Sequence, residues 1–310
     1  NVGISQSTFT AGGLDLVAVG NRASSVRLSD PLSATTGGRV SLTGSRMAIV
    51  SADAAGAPAR LAAGEIVVAS TSLATSTTGA GRGGDILFRA DRVAVAPDGF
   101  VITSAGGSGA GGDVRVTAGT IDIDARGATT TTGFGSVASA SGAAGAVALN
   151  SDTIRLTGEV GNTTGSGFAF IGSTVLGTGS AGDVDLTATN LVIDVALISS
   201  TSVGDGDGGT IRLSGLNLEL GGANVITSSF GAGAAGNVII DGDTIAISGG
   251  SFGATPGTRQ QSGELAITAR TSIEAEGGFL SAISGSPTSS GQITLRAPLI
   301  LLSETNINSA

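Results

Sequence analysis

The sequence contains no Cys, His, Trp, Tyr or Lys, so all fifteen of its basic residues are Arg. Each absence removes a class of chemistry. Without His or Cys there is no Ser-His-Asp or Cys-His nucleophile system and no ordinary zinc site. Without Lys there is no Schiff base and no phosphate-binding lysine. No disulfide can hold the chain, although the lack of cysteine leaves its compartment open. No apolar stretch approaches the roughly 18 residues of a transmembrane helix; the longest block near the end runs only from Ala297 to Leu302. Basic excess is lacking too: a net charge of -9 and a pI near 4.4 argue against nucleic acid, which needs a basic face to neutralise phosphates. The chain starts at Asn1 with no charged n-region and no apolar h-region, which is the expectation for a processed chain or a piece of a longer one.

What remains is a chain of 310 residues with 53 Gly, 40% apolar residues and a mean hydropathy of +0.37, enough apolar material for a core of small side chains. Its main signal is repetition. Segments that begin with Gly and run into an alternating apolar stretch start at Gly12, Gly38, Gly84, Gly112, Gly145, Gly182, Gly209, Gly236, Gly263 and Gly291, with a weaker start at Ala57; the modal spacing is 27 residues. From each start the apolar residues fall two, four and six positions on, then nine and eleven, as in Val184, Leu186, Ala188, Leu191 and Ile193. A third short apolar strand, marked by Ile102, Ile171, Ile198, Ile226 and Ile283, lies eight to eleven residues before the next start.

Period-two alternation is a strand signal, and no window sustains helical spacing. The chain therefore reads as all-β, a right-handed parallel β-helix of about 11 coils with three strands per coil. One coil cannot bury its own inward side chains, whereas stacking places Val184, Ile211 and Val238 in one ladder. A single solenoid over residues 1–310 is expected, less regular over 1–60 and regular over 61–310, with longer loops near 125–135 and 158–170. Within those loops, Thr129 to Gly135 and Glu159 to Phe170 read as projections, and Phe134, Phe168 and Phe230 as residues near variable corners.

Motifs that resemble chemistry favour structural readings. G-x-G-x-x-G occurs five times, at Gly79/Gly81/Gly84, Gly107/Gly109/Gly112, Gly177/Gly179/Gly182, Gly204/Gly206/Gly209 and Gly231/Gly233/Gly236, and each hit opens a strand where a dinucleotide site would open a helix. These glycines are expected to turn corners at positive φ. Asp205-Gly206-Asp207 resembles the start of a calcium loop, but the twelfth position is Leu216 where an EF-hand has Glu, so no metal is assigned. Asp85, Asp113 and Asp183 follow start glycines, with Asn237, Glu264, Gln292 and Thr210 at the same place elsewhere; residue type drifts too freely for an active site. Arg39, Arg115, Arg155, Arg212 and Arg296 alternate outward and can pair with Asp113 and Asp185. Neither catalytic nor cofactor-binding residues are assigned. The Thr tracts Thr75 to Thr78 and Thr129 to Thr132 do not repeat from coil to coil as an ice-binding array would.

The segment 178 to 247 has Gly-Asx starts and contains Ile-Thr-Ser-Ser-Phe-Gly-Ala-Gly-Ala-Ala-Gly-Asn-Val at 226–238 and Asp-Gly-Asp-Thr-Ile-Ala-Ile-Ser at 241–248. It resembles the filamentous-haemagglutinin-like repeat proteins of Gram-negative bacteria and cyanobacteria, over residues 80 to 300. That resemblance implies a right-handed parallel β-helix, export through an outer-membrane partner pore, and a role as an extracellular adhesin or fibre on the bacterial surface. The Asn-Pro-Asn motifs of that family's secretion domain have no match, so the shaft is the part expected. The expected function is structural and adhesive, not enzymatic. The alternative, a β-helical polysaccharide lyase or hydrolase, would need a fixed Asp/Arg cluster in a groove lined by Trp or Tyr, residues the chain does not have. No cofactor is expected, nor is insertion into a membrane. Apolar ladder residues at both ends, Val2 and Ile4 on one side and Ile300 and Leu302 on the other, raise the expectation of head-to-tail self-association or of further coils in a longer parent chain, with a host-cell, surface or polysaccharide ligand on the flanks.

Overall fold

The computed structural model describes residues 2–11, 13–18, 37–52, 55–159, 167–256, 262–284 and 291–309. They form an all-β parallel solenoid of about nine turns, and no helix occurs among them. Every strand pairing is parallel, in two sheets of 14 and 11 strands. At a spacing of about 4.8 Å the eleven stacked strands of the second sheet span roughly 50 Å.

Within a coil the offsets of two, four and six and then nine and eleven lie on one long strand of the first sheet, such as Val114–Asp124, Val147–Thr157 or Val184–Asp194. Alternation shifts by one residue between the two halves, so Val114, Val116, Ile121 and Ile123 are all buried on the same interior. The expected first and second strands separate in the coil after Gly209, as Ile211–Ser214 and Asn217–Gly221, and again as Gln292–Arg296 and Leu299–Ser303. A shorter strand, such as Thr132–Ala138 or Ala196–Ser202, then supplies the second sheet. The ladder is in register over long distances: Val147, Val184, Ile211, Val238 and Leu265 pair in sequence, each fully buried. Burying one such side chain stabilises by about 1.5 to 3 kcal/mol, and only a neighbouring coil can bury it.

Four expectations are corrected. The strand after Gly38, Arg39–Thr43, pairs with Glu65–Ala69, the second half of Ala59–Ala69, while Leu14–Val17 pairs with its first half. Gly38 therefore falls between the two halves of one coil's long strand and does not open a coil of its own; Gly12 and Pro31 lie outside the described residues. The third inward column runs through Val101, Phe134, Ile171, Ile198, Val225 and Phe252, so Ile102 and Ile226 sit one residue further on and face outward. Thr132–Ala138 is a strand where a loop was expected, and Phe134 is fully buried with its ring edge-on to Phe88 at 6.0 Å. Ala169 and Phe170 belong to the strand Ala169–Val175, so the projection expected over Glu159 to Phe170 narrows, with 160–166 outside the described residues.

Corner glycines have a cause other than the one expected. None of the start glycines from Gly84 to Gly291 has a positive φ. A Cβ on Gly112, Gly145, Gly182, Gly209 or Gly236 would overlap the backbone carbonyl of the start glycine one coil below, and Gly109, Gly142, Gly179, Gly206 and Gly233 are stacked in the same way. Glycine is needed there because backbones meet, not because the chain bends left. Left-handed residues occupy the other corner, between the long strand and the second sheet: Ser70, Asp98, Val195 and Gly222 have φ of 46°, 61°, 56° and 56°. A β-branched residue is strained in that region.

Two stability predictions follow from this packing. Val238→Asp and Ile240→Asp should each destabilise by several kcal/mol or more, since an unpaired carboxylate is buried in a dry interior. Ile239→Asp should be tolerated, because Ile239 faces outward beside Arg212. Equal denaturant midpoints for the three would contradict the register. At the corners, Gly206→Ala should lower the melting temperature, whereas Val195→Gly should leave it unchanged or raise it, by up to about 1 kcal/mol of stability. The reverse order would refute the close-approach explanation.

Candidate functional site

Among the described residues a polar cluster lies at the first corner, the one that leads into the first sheet, where Arg82, Asp85, Asp113 and Arg115 meet. Asp85 and Asp113 occupy the position after the start glycine in consecutive coils, and Arg115 projects from the outward side of the strand Val114–Asp124. Arg82 Nη1 donates to Asp85 Oδ1 at 2.6 Å, and Arg82 Nη2 is 3.0 Å from Asp113 Oδ2. Arg115 Nη2 donates to Asp113 Oδ2 at 2.6 Å, and its Nη1 is 3.6 Å from Asp85 Oδ2. Both guanidiniums are about half exposed, so each pair contributes roughly 0 to 1 kcal/mol.

The same aspartates also bind backbone. Asp113 N–H donates to Asp85 Oδ1 at 2.9 Å, and Ala146 N–H donates to Asp113 Oδ1 at 2.8 Å. Asp183 accepts from Thr210 N–H and Asn237 from Glu264 N–H, both at 2.8 Å and both across 27 residues. The polar column expected after the start glycines is thus a ladder of side-chain clamps between coils. An amide oxygen accepts as well as a carboxylate oxygen, which accounts for the drift between Asp and Asn. Asp205 and Asp207 act alike one corner segment earlier, accepting from Ala232 N–H at 3.2 Å and Ala234 N–H at 2.8 Å. Among the described residues no group of three or more acidic side chains is placed to hold a metal ion.

The expected outward arginine pairs are present where Arg115 meets Asp113 and where Arg212 lies 3.4 Å from Asp185 and 3.6 Å from Asp183. Arg39 lies 3.3 Å from Glu65. Arg155 and Arg296 also sit on outward, exposed positions of the first sheet.

A second polar column escaped the sequence reading because it is internal. Thr75, Thr103, Ser136, Ser173, Ser200 and Thr227 are stacked in register on the buried side of the second sheet, each nine residues before a start glycine. Thr75, Thr103 and Thr227 donate to the carbonyls of Gly84, Gly112 and Gly236 at 2.6 Å. Ser136, Ser173 and Ser200 accept from the amides of Gly145, Gly182 and Gly209 at 2.7 to 2.9 Å. The constant nine-residue spacing was the available signal. These bonds tie the end of one coil to the start of the next, beside coil-to-coil backbone bonds such as Gly111 N–H to the Ala143 carbonyl and Gly208 N–H to the Ala234 carbonyl.

Thr129 and Thr130 are tied down rather than presented. Their amides donate to Asp98 Oδ1 at 2.7 and 2.6 Å, and their hydroxyls to the same carboxylate. Desolvation pushes the Asp98 carboxyl up, but the combined bonds from Thr130 and Thr129 outweigh it and hold it below the ordinary 3.8. Asp124 is also held low, chiefly by the hydrogen bond from the Arg126 side chain against a smaller desolvation effect.

The surface depressions lie away from the Arg–Asp cluster. One of about 680 Å³ is lined by Ala246, Glu274, Glu276, Ile300 and Leu302, and another of about 370 Å³ by Arg155, Asp194 and Glu219. No aromatic side chain lines either. No family model, curated protein or solved structure matches the chain.

The depressed carboxyls give a pH prediction. A group whose folded pKa lies below its unfolded value contributes stability that is present above the unfolded value and lost as pH falls through the folded one. Wild type should lose stability as pH drops below about 3.8, and Asp98→Asn should flatten that part of the profile measured by thermal melting. A steeper acid loss in Asp98→Asn would contradict the assignment.

Proposed function

We propose that the chain is the shaft of an extracellular bacterial surface adhesin or fibre of the filamentous-haemagglutinin-like kind, a right-handed β-helix with three strands per coil. The observation that carries this reading is the mutual occupation of the polar residues at the first corner. Asp85 and Asp113 each satisfy a backbone amide and two arginines, and Asp183, Asp205, Asp207 and Asn237 bind the next coil. Residues committed to holding coils together leave length, rigidity and outer faces as the functional properties. A lyase or hydrolase requires a carboxylate free to accept or deliver a proton at a bound sugar.

End-on association belongs to the same proposal. In the last coil Ile300, Leu302 and Ile307 are 37%, 44% and 48% exposed, whereas their counterparts one coil earlier, Ile273, Ala275 and Leu280, are buried. Val2 and Ile4 are half-buried at the opposite end. A further coil, from a second copy or from a longer parent chain, covers these faces.

Two assays test the function. Beads coated with the chain should adhere to cell or polysaccharide surfaces in a way that soluble chain competes away. Uronate and neutral polysaccharides should remain intact on incubation with the chain, with or without calcium. Depolymerisation that disappears in Asp85→Asn or Asp113→Asn would overturn the proposal in favour of the enzyme.

A further inference from the structure

Charge is largely segregated between the two sheets: the one ionisable residue in the strands of the second sheet is Arg46, exposed in Arg46–Ser51 toward one end of the rod. The first sheet carries the arginines and carboxylates of the ladders described above. In the second sheet, the strands Ser72–Thr77, Phe100–Ala105, Thr132–Ala138, Ala169–Val175, Ala196–Ser202, Asn224–Ser229, Ser251–Pro256, Phe279–Ala282 and Asn306–Ser309 contain no ionisable residue.

The outer surface of this sheet, uncharged from Ser72 on, also gathers the exposed apolar side chains. Outside the last coil, the large apolar residues exposed to solvent among the described residues are Val50, Leu176, Val203, Leu216, Phe230 and Phe279. All but Leu216 lie on this face or its rim. Val50 and Phe279 point outward from their strands. Leu176, Val203 and Phe230 each follow the last strand residue in three consecutive coils, where Val203 N–H donates to Val175 O and Phe230 N–H to Ser202 O. They form a ridge of side chains 57%, 45% and 61% exposed, in the middle of the rod and not at its ends. Across the sheet, Phe100 and Phe170 pack at 6.3 Å over Gly135 and Gly172, where a Cβ would meet their rings. The glycine floor lets both rings lie close to the sheet and keeps the face flat.

We propose that this face is the contact surface for a second copy of the chain, two rods lying side by side with their uncharged sheets together. Charge points to that occupant: each copy carries a net charge of -9, while the strands of this face from Ser72 on hold no carboxylate, so two copies meet there with like charge confined to the rim, where Asp205 and Asp207 follow Val203. Size agrees. Nine strands about six residues wide offer roughly 850 Å² per copy, or about 1,700 Å² for the pair, within the range of a stable specific interface. Sheets in contact face to face lie about 10 Å apart, a gap that the ridge residues fill. This association is lateral, so it neither rests on nor excludes end-on stacking.

Sedimentation velocity and small-angle scattering of the full chain across a concentration series test it. Wild type should show a reversible, concentration-dependent doubling of the cross-section, whatever growth in maximum dimension end-on stacking adds. Val203→Glu and Phe230→Glu should each weaken the dimer at least about a hundredfold, because a charge is then buried without a partner. Their circular dichroism spectra and melting temperatures should stay unchanged. Thr117→Glu, an equivalent charge on the exposed side of the first sheet, should leave the dimer intact. Ile300→Glu with Leu302→Glu should abolish only the growth in length that marks end-on stacking. Because the chain has no cysteine, Val203→Cys carrying an environment-sensitive dye gives an independent reading, with emission shifting blue as the dimer forms. A wild type that stays monomeric overturns the proposal, whether or not the face binds a polysaccharide. So does a dimer indifferent to the charges at 203 and 230, or an emission that does not move with concentration.

Discussion

Everything in this molecule depends on one backbone meeting another at the spacing of a β-ladder, coil upon coil. Along the strands that contact is the ordinary parallel hydrogen-bond ladder, which runs unbroken from rung to rung. At the first corner the chain turns and the contact becomes atomic: start glycines such as Gly145, Gly182 and Gly209 lie against the carbonyls of their counterparts below, with no room for a Cβ. The abundance of glycine and the lack of bulky aromatics are consequences of that spacing. So is the interior of Val, Ile, Leu and Ala, whose side chains fill a narrow core shared by successive coils.

Polar side chains solve the problem that the glycines create. The corner keeps some coil-to-coil backbone bonds, such as Gly111 N–H to the Ala143 carbonyl, but other amides and carbonyls there need side-chain partners, and an unpaired buried polar group costs about 1 to 3 kcal/mol. The hydroxyls of Thr75, Ser136 and Ser200 satisfy such groups from inside, and the oxygens of Asp113, Asp183 and Asn237 do so from outside. Among the described residues no buried side-chain polar atom is left without a partner. This division of labour supports the proposed shaft function: the polar column that follows the start glycines is a set of clamps in the fold.

The long-range order was legible because the interior is periodic. Offsets of two, four, six, nine and eleven from a glycine place Val184, Ile211 and Val238 in one column, and the structure has that column. Local details were lost where a pattern has two physical causes. Glycine at a corner signals either a left-handed residue or a close approach; at the start positions it was the second, while the left-handed sites fell on Asp98 and Val195. Gly38 precedes an alternating stretch like any start, yet Arg39–Thr43 joins the second half of its neighbour, a choice fixed only by pairing with Glu65–Ala69. Phe134 was read as a corner residue because the spacing around it is stretched, but the additional residues precede its strand. Of the polar positions, the outer Asx column was visible and its purpose was not, since drift from Asp to Asn does not by itself reveal a backbone acceptor.

Native-state hydrogen exchange at the corner amides tests the central claim, that side-chain clamps and glycine contacts join the coils as firmly as the ladders do. The amides of Asp113, Ala146, Thr210 and Glu264, which donate to Asx side chains one coil away, should exchange as slowly as strand amides such as Val147 and Ile211. Exchange at those four positions as fast as in an open loop, with the strand amides still protected, would contradict it.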